Sequence, residues 1–220
     1  MTSKLGRLKA FARRWGWPRT MYRLIMRGAG DYLGIHVFVI RTRFTTPETP
    51  HPCDLPAIEY RLIDSDTLIQ ASDDPALDLD REFIQAALER GDLAFGAFDK
   101  SLLVSYVWRS TASAPDTDDL WVRVDRPYCY SYKSYTRRDY RGNHIVPALI
   151  LYSDREMLKF DYTHRAGFIE ITNFASLALG NRMDSRLIGH AGYLKWFGRH
   201  FTFRTRAVAE IGFEFFELNN

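Results

Sequence analysis

The amino-acid sequence predicts one α/β domain in which helices pack against a sheet. Short runs of alternating hydrophobic residues, separated by turn-forming residues, favour strands, and segments between them have the i,i+4 spacing of amphipathic helices. The chain has 220 residues, of which 46% are hydrophobic and 15% aromatic. This composition is sufficient for one sizeable core and does not require a second independent domain.

Residues 1–56 are predicted to form an N-terminal extension of helix and strand. One helical stripe contains Leu5, Leu8, Ala12 and Trp15. Pro18 favours the start of a second helical segment, and Ile35 to Phe44 has the pattern of a strand. Four of the nine prolines lie between residues 45 and 56, which predicts an irregular connection. We therefore expect the main domain to comprise residues 57–220.

The first part of the main domain is predicted to contain a strand, a helix and a hairpin, in that order. Ile58 to Ile63 has the pattern of the first strand. Asp80 is a favourable N-cap for a helix that ends at Gly91. Leu93 to Phe98 and Leu102 to Trp108 flank a short polar turn and predict an antiparallel hairpin.

The most informative stretch is an aromatic strand that leads through a basic turn into a helix. After a polar loop at residues 110–119, Tyr128 to Tyr135 is predicted to be a strand, and Pro147 suits the first turn of the next helix. A turn of this kind points several unpaired backbone N–H groups at one small volume, which attracts anions. Gly142 allows a ligand to approach the backbone closely, and Arg141 adds positive charge. The sequence therefore predicts a diphosphate-binding turn.

Five residues of this turn match a known signature in register. They are Thr136, Tyr140, Arg141, Gly142 and Ile145. Their order resembles the acyl-CoA signature of the GNAT superfamily of N-acyltransferases, with His144 and Val146 at the two later glycine positions and Arg138 in place of the usual proline. The resemblance implies a GNAT-like mixed, mostly antiparallel sheet that is split at strand four and flanked by helices, with the thioester bound in the opening.

A second motif follows at the spacing that this superfamily requires. Phe168 to Thr172 is predicted to be a strand, and Asn173 and Ser176 after it resemble the Asn-x-x-Ser element that opens helix four of the superfamily. A hairpin is then expected between residues 187 and 205. An alternative register uses Asn181 and Ser185. We prefer the first register because the alternative places the preceding strand and the hairpin poorly.

The resemblance implies acetyl-CoA or another acyl-CoA as the acyl donor, and no metal. The residues expected to bind the donor are Thr136, Arg137, Arg141, Gly142, Asn143, His144, Ile145, Val146, Asn173 and Ser176. The turn would bind the pyrophosphate, and the open edge of the strand before it would bind the pantetheine arm. The backbone N–H of Thr136 is the candidate hydrogen-bond donor to the oxyanion.

The implied reaction is direct transfer of the acyl group to an amine-bearing acceptor. An alkylammonium group with a pKa near ~10 must lose a proton before it attacks, so a base is needed. Glu170 is one candidate, and Tyr132 acting through a bound water is another. The leaving thiolate needs a proton, which Ser176 or solvent is expected to supply, because Gly180 and Asn181 stand near the place where many members have a tyrosine.

The N-terminal extension is strongly basic. Its positive residues before the first acid, Asp31, are Lys4, Arg7, Lys9, Arg13, Arg14, Arg19, Arg23 and Arg27. The whole chain has a net charge of only +3, so the remainder is acidic. Residues 1–30 could be a solvated helix face, lie on an anionic membrane surface or dock an acidic acyl carrier protein. Nucleic acid is not expected as a partner, because no nucleic-acid-binding motif accompanies the charge.

Two alternatives to acyl-CoA transfer follow from these features. A long-chain N-acyl synthase that takes its acyl group from acyl carrier protein would use the basic extension to attract the carrier. A non-catalytic acyl-CoA-binding module would account for the missing tyrosine.

The cysteine content indicates a reducing compartment, and the hydropathy indicates that no segment spans a membrane. Cys53 and Cys129 are too few and too far apart for a disulfide framework or a zinc pattern, and the best apolar run, Leu33 to Ile40, is too short to span a membrane. We therefore expect a cytoplasmic protein, with peripheral membrane contact as an alternative. The oligomeric state is left open, although Ile211 to Leu218 could pair across subunits.

Overall fold

The computed structural model describes residues 4–48, 58–117 and 119–218. The helices are α1 (Lys4–Trp15), α2 (Trp17–Leu33), α3 (Ser65–Ser72), α4 (Arg81–Glu89), α5 (Ile145–Met157), α6 (Phe174–Arg182) and α7 (Arg206–Glu210). The strands are β1 (Ile35–Phe44), β2 (Ile58–Leu62), β3 (Leu93–Asp99), β4 (Leu102–Ser110), β5 (Ser113–Pro115), β6 (Leu120–Arg123), β7 (Tyr128–Thr136), β8 (His164–Glu170), β9 (Arg186–Trp196), β10 (Arg199–Arg204) and β11 (Glu214–Glu217). Cys53 and most of the proline-rich connection lie outside the described residues.

The main sheet has eight strands in the order β10-β9-β1-β8-β7-β4-β3-β2. Its neighbouring strands are antiparallel except for β7 and β8, which are parallel. A smaller antiparallel sheet has the order β11-β6-β5. The predicted α/β fold with a mixed, mostly antiparallel sheet is thus confirmed.

The main sheet splits between β7 and β8. These two strands pair over a short stretch that ends with Tyr130 opposite Ala166. Beyond this point β7 continues along β4 as far as Thr136, whereas β8 continues along β1 as far as Glu170. Counted from β2 at the sheet edge, β7 is the fourth strand, so the opening lies where the resemblance placed it.

Strand β1 lies in the middle of this sheet, although the sequence assigned it to the N-terminal extension. Phe38 pairs with Glu170 of β8 on one side and with Ala191 of β9 on the other. α2 ends at Gly34, which has a φ of 66°, and a Cβ atom there would lie 2.3 Å from the carbonyl oxygen of Lys195. Glycine is therefore required where α2 turns into β1 against β9. The predicted boundary between residues 56 and 57 therefore separates strands that belong to one continuous sheet.

Helices and the small sheet cover the two faces of the main sheet. On one face, α5 packs Ile145, Leu149 and Met157 against β3, β4 and β7. On the other face, α3 and α4 cover one half around Trp108, and the small sheet covers the other half around Phe213. The opening lies between these two halves.

The structure confirms where several of the predicted helices and strands begin or end. β1 has the predicted bounds, and α2 begins one residue before Pro18. The carboxylate of Asp80 accepts a hydrogen bond from the backbone N–H of Phe83 at 2.7 Å, as expected of an N-cap. Among the described residues, no helix combines the length and the apolar character needed to cross a bilayer.

Other elements were missed because they are short. α3 has eight residues and is capped by Asp64, but its length gives no clear hydrophobic period. The loop predicted at residues 110–119 contains β5, a strand of three residues. The segment Ile211 to Leu218 contains β11, which pairs with β6 of the same chain.

Three arginines and one carboxylate form a buried cluster between α5 and the main sheet. Asp154 of α5 is 3% exposed and accepts hydrogen bonds from Arg109 of β4 at 3.2 Å and from Arg165 of β8 at 3.1 Å. Arg43 of β1 adds a longer contact of 3.5 Å to the same carboxylate. Arg109 also donates to the hydroxyl of Ser131 on β7. The cluster therefore ties strands from both halves of the split sheet to one helix.

Replacement of Asp154 by asparagine is expected to lower the free energy of unfolding by about 3–5 kcal/mol, because the buried arginines lose their shared anion. Glu156→Gln is the matched control on the same helix. Glu156 pairs with Lys159, which is largely exposed, so we expect a change below about 1 kcal/mol. Denaturant unfolding of both variants measures the difference, and equal losses would contradict a structural role for the cluster.

Candidate functional site

The turn between β7 and α5 has a backbone that leaves the start of the helix open. Gly142 has a φ of 90° and His144 a φ of 58°. His144, the N-cap of α5, thus adopts the left-handed region at one of the signature's glycine positions, which costs on the order of 1 kcal/mol. Its side chain makes no capping hydrogen bond to the described residues, so the first N–H groups of α5 have no side-chain cap there.

A cavity of about 300 Å³ lies at this start of α5. The turn lines one side of it, and Leu179 and Arg182 of α6 line the other. Arg141 and Arg182 both line this cavity, and no acidic side chain among the described residues does so. Unpaired N–H groups and two guanidinium groups together suit a diphosphate. Arg182 was not predicted, because only the packing of α6 against the turn brings it here.

Arg137 and Asn143 are not brought into this cavity. The Nε atom of Arg137 donates to the carbonyl oxygen of Leu103 at 2.7 Å, and its Nη2 atom pairs with the carboxylate of Asp74. The hydrogen bond from Arg137 lowers the pKa of Asp74. Asn143 is exposed and does not line the cavity. Arg137 therefore holds the end of β7 against the turn that follows α3, and neither Arg137 nor Asn143 lines the cavity at the start of α5.

Thr136 is placed so that its backbone N–H is directed into the opening. Arg137 N–H donates to the carbonyl oxygen of Val104 at 2.9 Å, which makes residues 137 and 104 a hydrogen-bonded pair. Such pairs alternate along an antiparallel ladder, so the N–H of Thr136 points away from β4. Its carbonyl oxygen, on the same side, accepts a hydrogen bond from Arg141 Nε at 3.0 Å. Thr136 thus offers one backbone donor that has no partner among the described residues, at the outer end of the opening beside the turn cavity that it lines.

The opening itself contains a cavity of about 470 Å³ between β7, β8, α5 and α6. Ser131 and Ser134 line it from β7, and Gly167 lines it from β8. Val146 and Leu179 line both this cavity and the cavity at the turn. The two cavities are therefore neighbours, one at the turn and one in the split sheet.

Asn173 and Ser176 lie together at the start of α6 and line the opening. The side-chain oxygen of Asn173 accepts a hydrogen bond from the backbone N–H of Ser176 at 3.1 Å, so Asn173 is the N-cap of α6. The Ser176 hydroxyl has no hydrogen-bond partner among the described residues and remains available as a donor.

Glu170 lies at the end of β8, where the opening meets a second cleft. Its side chain is exposed and accepts a hydrogen bond from the Thr172 hydroxyl at 2.6 Å. The second cleft, of about 310 Å³, lies between α2 and β1 and is lined by Asp31, His36 and Glu170, among others. Burial lowers the pKa of His36, which favours its neutral form. Arg23 and Arg27 line the same cleft, and Arg27 pairs with Asp31 at 3.6 Å, so Glu170 is the carboxylate of this cleft that forms no ion pair with a described residue.

Tyr132 also lines the opening, but its hydroxyl is engaged elsewhere. It donates a hydrogen bond to the buried carboxylate of Asp92 at 2.9 Å. Burial raises the pKa of Tyr132, and the neighbouring Asp92 raises it further. Burial also raises the pKa of Asp92 itself. The hydroxyl is therefore a hydrogen-bond donor to Asp92, whereas the sequence predicted that Tyr132 acts as a base through a bound water.

Arg41 and Arg165 line the inner part of the opening, near the point where the sheet splits. Arg41 donates from Nε to the Ser185 hydroxyl at 2.9 Å and from Nη2 to the Ser185 carbonyl oxygen. A Cβ atom at Gly180 would lie 2.8 Å from Nε of Arg41. Gly180 therefore leaves the space that the Arg41 side chain occupies. The sequence alone gave no sign of this pair, because it depends on the position of β1 beside β8.

We expect Arg141→Glu and Arg182→Glu each to weaken CoA binding by about 10-fold or more, because each replaces a cation at the turn cavity with an anion. Arg138→Glu is the matched control, since it makes the same charge change in the same turn at a residue that does not line the cavity. Isothermal titration calorimetry at fixed ionic strength measures the three affinities. Equal effects of all three variants would indicate a long-range charge effect and no defined phosphate site.

No model of a known protein family and no curated protein matches this chain. Its structure is similar to a tandem GNAT protein from the clavulanic acid biosynthesis pathway, with a TM-score of 0.51 and 14% identity over 74% of this chain and 55% of that chain. It is also similar to a GCN5-related N-acetyltransferase from Sphaerobacter thermophilus, with a TM-score of 0.50 and 12% identity over 79% of this chain and 54% of that chain. This chain thus covers about half the length of both proteins. These likenesses, together with the split sheet, show that the chain has the fold of the GNAT superfamily.

Proposed function

We propose that this protein transfers an acetyl or other acyl group from acyl-CoA directly to an amine acceptor. The observation that carries this proposal is the pair of neighbouring cavities, one at the arginine-lined turn before α5 and one in the opening between β7 and β8. The turn suits the phosphates of CoA, and the unpaired edge of β7 suits its extended pantetheine arm.

In this proposal the thioester carbonyl lies beside the end of β7. The amine nitrogen attacks the carbonyl carbon, and the oxyanion that forms accepts a hydrogen bond from the N–H of Thr136. Collapse of the tetrahedral intermediate breaks the C–S bond and releases the CoA thiolate. The attacking nitrogen loses its remaining extra proton to solvent. The thiolate takes a proton from solvent, either directly or through the Ser176 hydroxyl, which is then reprotonated by solvent. No covalent bond between the acyl group and the protein forms at any step.

The acceptor enters from the cleft between α2 and β1. Glu170 lines both this cleft and the opening, so it is placed to take a proton from the amine as the amine reaches the thioester. The carboxylate of Glu170 can pair with an alkylammonium acceptor before it takes the proton.

Calorimetric titration with CoA, acetyl-CoA and a long-chain acyl-CoA, followed by measurement of thiol release with a panel of amines, tests the proposal. Thiol release matched by amide product supports it. Binding of acyl-CoA without turnover of any amine would favour a non-catalytic binding module. Turnover only when an acyl carrier protein supplies the acyl group would favour the carrier-dependent N-acyl synthase.

We expect Glu170→Gln to lower kcat by about 100-fold or more while the affinity for acetyl-CoA is unchanged, as for loss of a general base. The loss should shrink above pH 9, because a growing fraction of the amine is then already deprotonated. Tyr132→Phe is the comparison variant, and its kcat should stay near that of the wild type. A pH–rate profile of both variants decides between the two residues, and a larger loss in Tyr132→Phe would reverse the assignment.

An exposed apolar face on α2 supports a further proposal about a partner. Its residues are spaced by three, four and seven positions, which places them on one side of the helix: Trp17, Met21, Leu24, Ile25 and Tyr32. The β9–β10 turn adjoins the end of α2, because Lys195 N–H donates to the carbonyl oxygen of Gly34 at 2.8 Å. This turn exposes Trp196 and Phe197, the latter to 91%. With the basic residues of α1 and α2, these features suit an anionic membrane surface, and we propose such a surface as the partner.

We expect the double variant Ile25→Gln with Phe197→Ser to bind vesicles that contain phosphatidylserine at least about 10-fold more weakly than the wild type, because both side chains would otherwise be buried in the interface. Leu102→Gln is the control, since Leu102 is an exposed apolar residue on the distant β3–β4 hairpin. Vesicle co-sedimentation measures binding. Equal binding by all three proteins would contradict the proposal. If the double variant instead weakens binding to an acyl carrier protein, the surface is assigned to that carrier.

A further inference from the structure

The inner end of the opening carries more positive charge than the protein neutralises. Arg43, Arg109 and Arg165 share the single carboxylate of Asp154. Arg41 makes no ion pair with any described residue. Buried charges that lack a counterion are unfavourable, so this excess of cations favours the binding of an anion from outside the chain.

Two of these arginines line the cavity and keep donors that are unpaired among the described residues. Arg41 is 9% exposed and uses Nε and Nη2 on Ser185, which leaves Nη1 without a hydrogen-bond partner among the described residues. Arg165 uses Nε on Asp154, and both of its Nη atoms likewise have no hydrogen-bond partner in the described part of the chain. Both side chains line the cavity in the opening, whereas Arg43 and Arg109 do not.

The position of Arg41 is supported from the opposite side of the cavity. Gly180 of α6 leaves room for the guanidinium group, and Ser185 after α6 fixes it with two hydrogen bonds. The guanidinium group is thus held in one orientation before any ligand binds, which reduces the entropy lost on binding.

We infer that Arg41 and Arg165 form a subsite for a carboxylate group of the substrate. This inference rests on the proposed acyl transfer. Guanidinium groups present planar, paired donors that match the two oxygens of a carboxylate. The phosphates of CoA are not this anion in our proposal, because the turn that binds them lines the neighbouring cavity.

The carboxylate can belong to either of the two substrates. A thioester of a dicarboxylic acid, such as succinyl-CoA, would carry its free carboxylate beyond the reacting carbonyl towards the inner end of the opening. An amino-acid acceptor would place its amine towards Glu170 and its carboxylate on the two arginines. In both cases the two arginines bind a carboxylate. Comparing substrates with and without that carboxylate shows whether it belongs to the acyl donor or to the acceptor.

The test compares pairs of substrates that differ in one carboxylate. The donor arm compares succinyl-CoA with acetyl-CoA, by calorimetry and by kcat/KM. The acceptor arm compares an amino acid with the amine that lacks its carboxylate, such as phenylalanine with phenethylamine. We expect the carboxylated member of one pair to be favoured at least about 10-fold by the wild type.

The variants assign this preference to the subsite. Arg41→Gln should abolish it, and Arg41→Lys, which keeps the charge but loses the paired donors, should reduce it. Arg43→Gln should retain it, because Arg43 belongs to the same cluster but does not line the cavity. Thermal unfolding of each variant establishes that it is folded, and Arg41→Lys provides the test if Arg41→Gln does not fold.

Two outcomes would overturn the subsite. One is the absence of a preference in both arms, and the other is a preference that survives both Arg41 variants. Transfer from acetyl-CoA without any preference would overturn the subsite but leave the proposed function intact. Failure of every acyl-CoA to bind or react would instead overturn the proposed function.

Discussion

The contact between Asp154 and its three arginines is the constraint on which the rest of the site depends. Two diverging strands cannot hold each other by backbone hydrogen bonds, so another contact must fix the width of the opening. Asp154 does so from α5, with Arg109 from one half of the sheet and Arg43 and Arg165 from the other. Because α5 also begins at the turn where we propose that the phosphates of CoA bind, the same helix helps to position both this turn and the inner end of the opening.

Most of the individual elements could be predicted from the sequence, but their order in the sheet could not. The bounds of β1, the N-cap at Asp80 and the strand–turn–helix around Gly142 follow from local patterns of hydrophobicity and turn chemistry. The insertion of β1 between β8 and β9 does not, because alternation shows that a segment is a strand and gives no information about its partner. The short α3 and β5 have too few residues for a recognisable period.

The site was predicted in part, and the differences have physical causes. Arg137 and Arg141 flank the same turn, yet Arg137 binds Leu103 and Asp74 because it still follows the direction of β7, whereas Arg141 lies beyond the turn. Arg41 and Arg182 were not predicted, because residues far apart in the chain meet there only after β1 and α6 are packed. Local sequence therefore indicated the turn where we propose that an anion binds, whereas the inner end of the opening required the tertiary structure.

The central position of β1 has a consequence for how the chain folds. β1 precedes both of its partner strands, β8 and β9, by a long stretch of chain. During synthesis its backbone N–H and C=O groups therefore have no partner strand until β8 and β9 have emerged. Contacts of such long sequence separation slow folding and expose a strand to association with other chains. The basic helices that precede β1 keep this waiting segment highly charged, which opposes such association through like-charge repulsion.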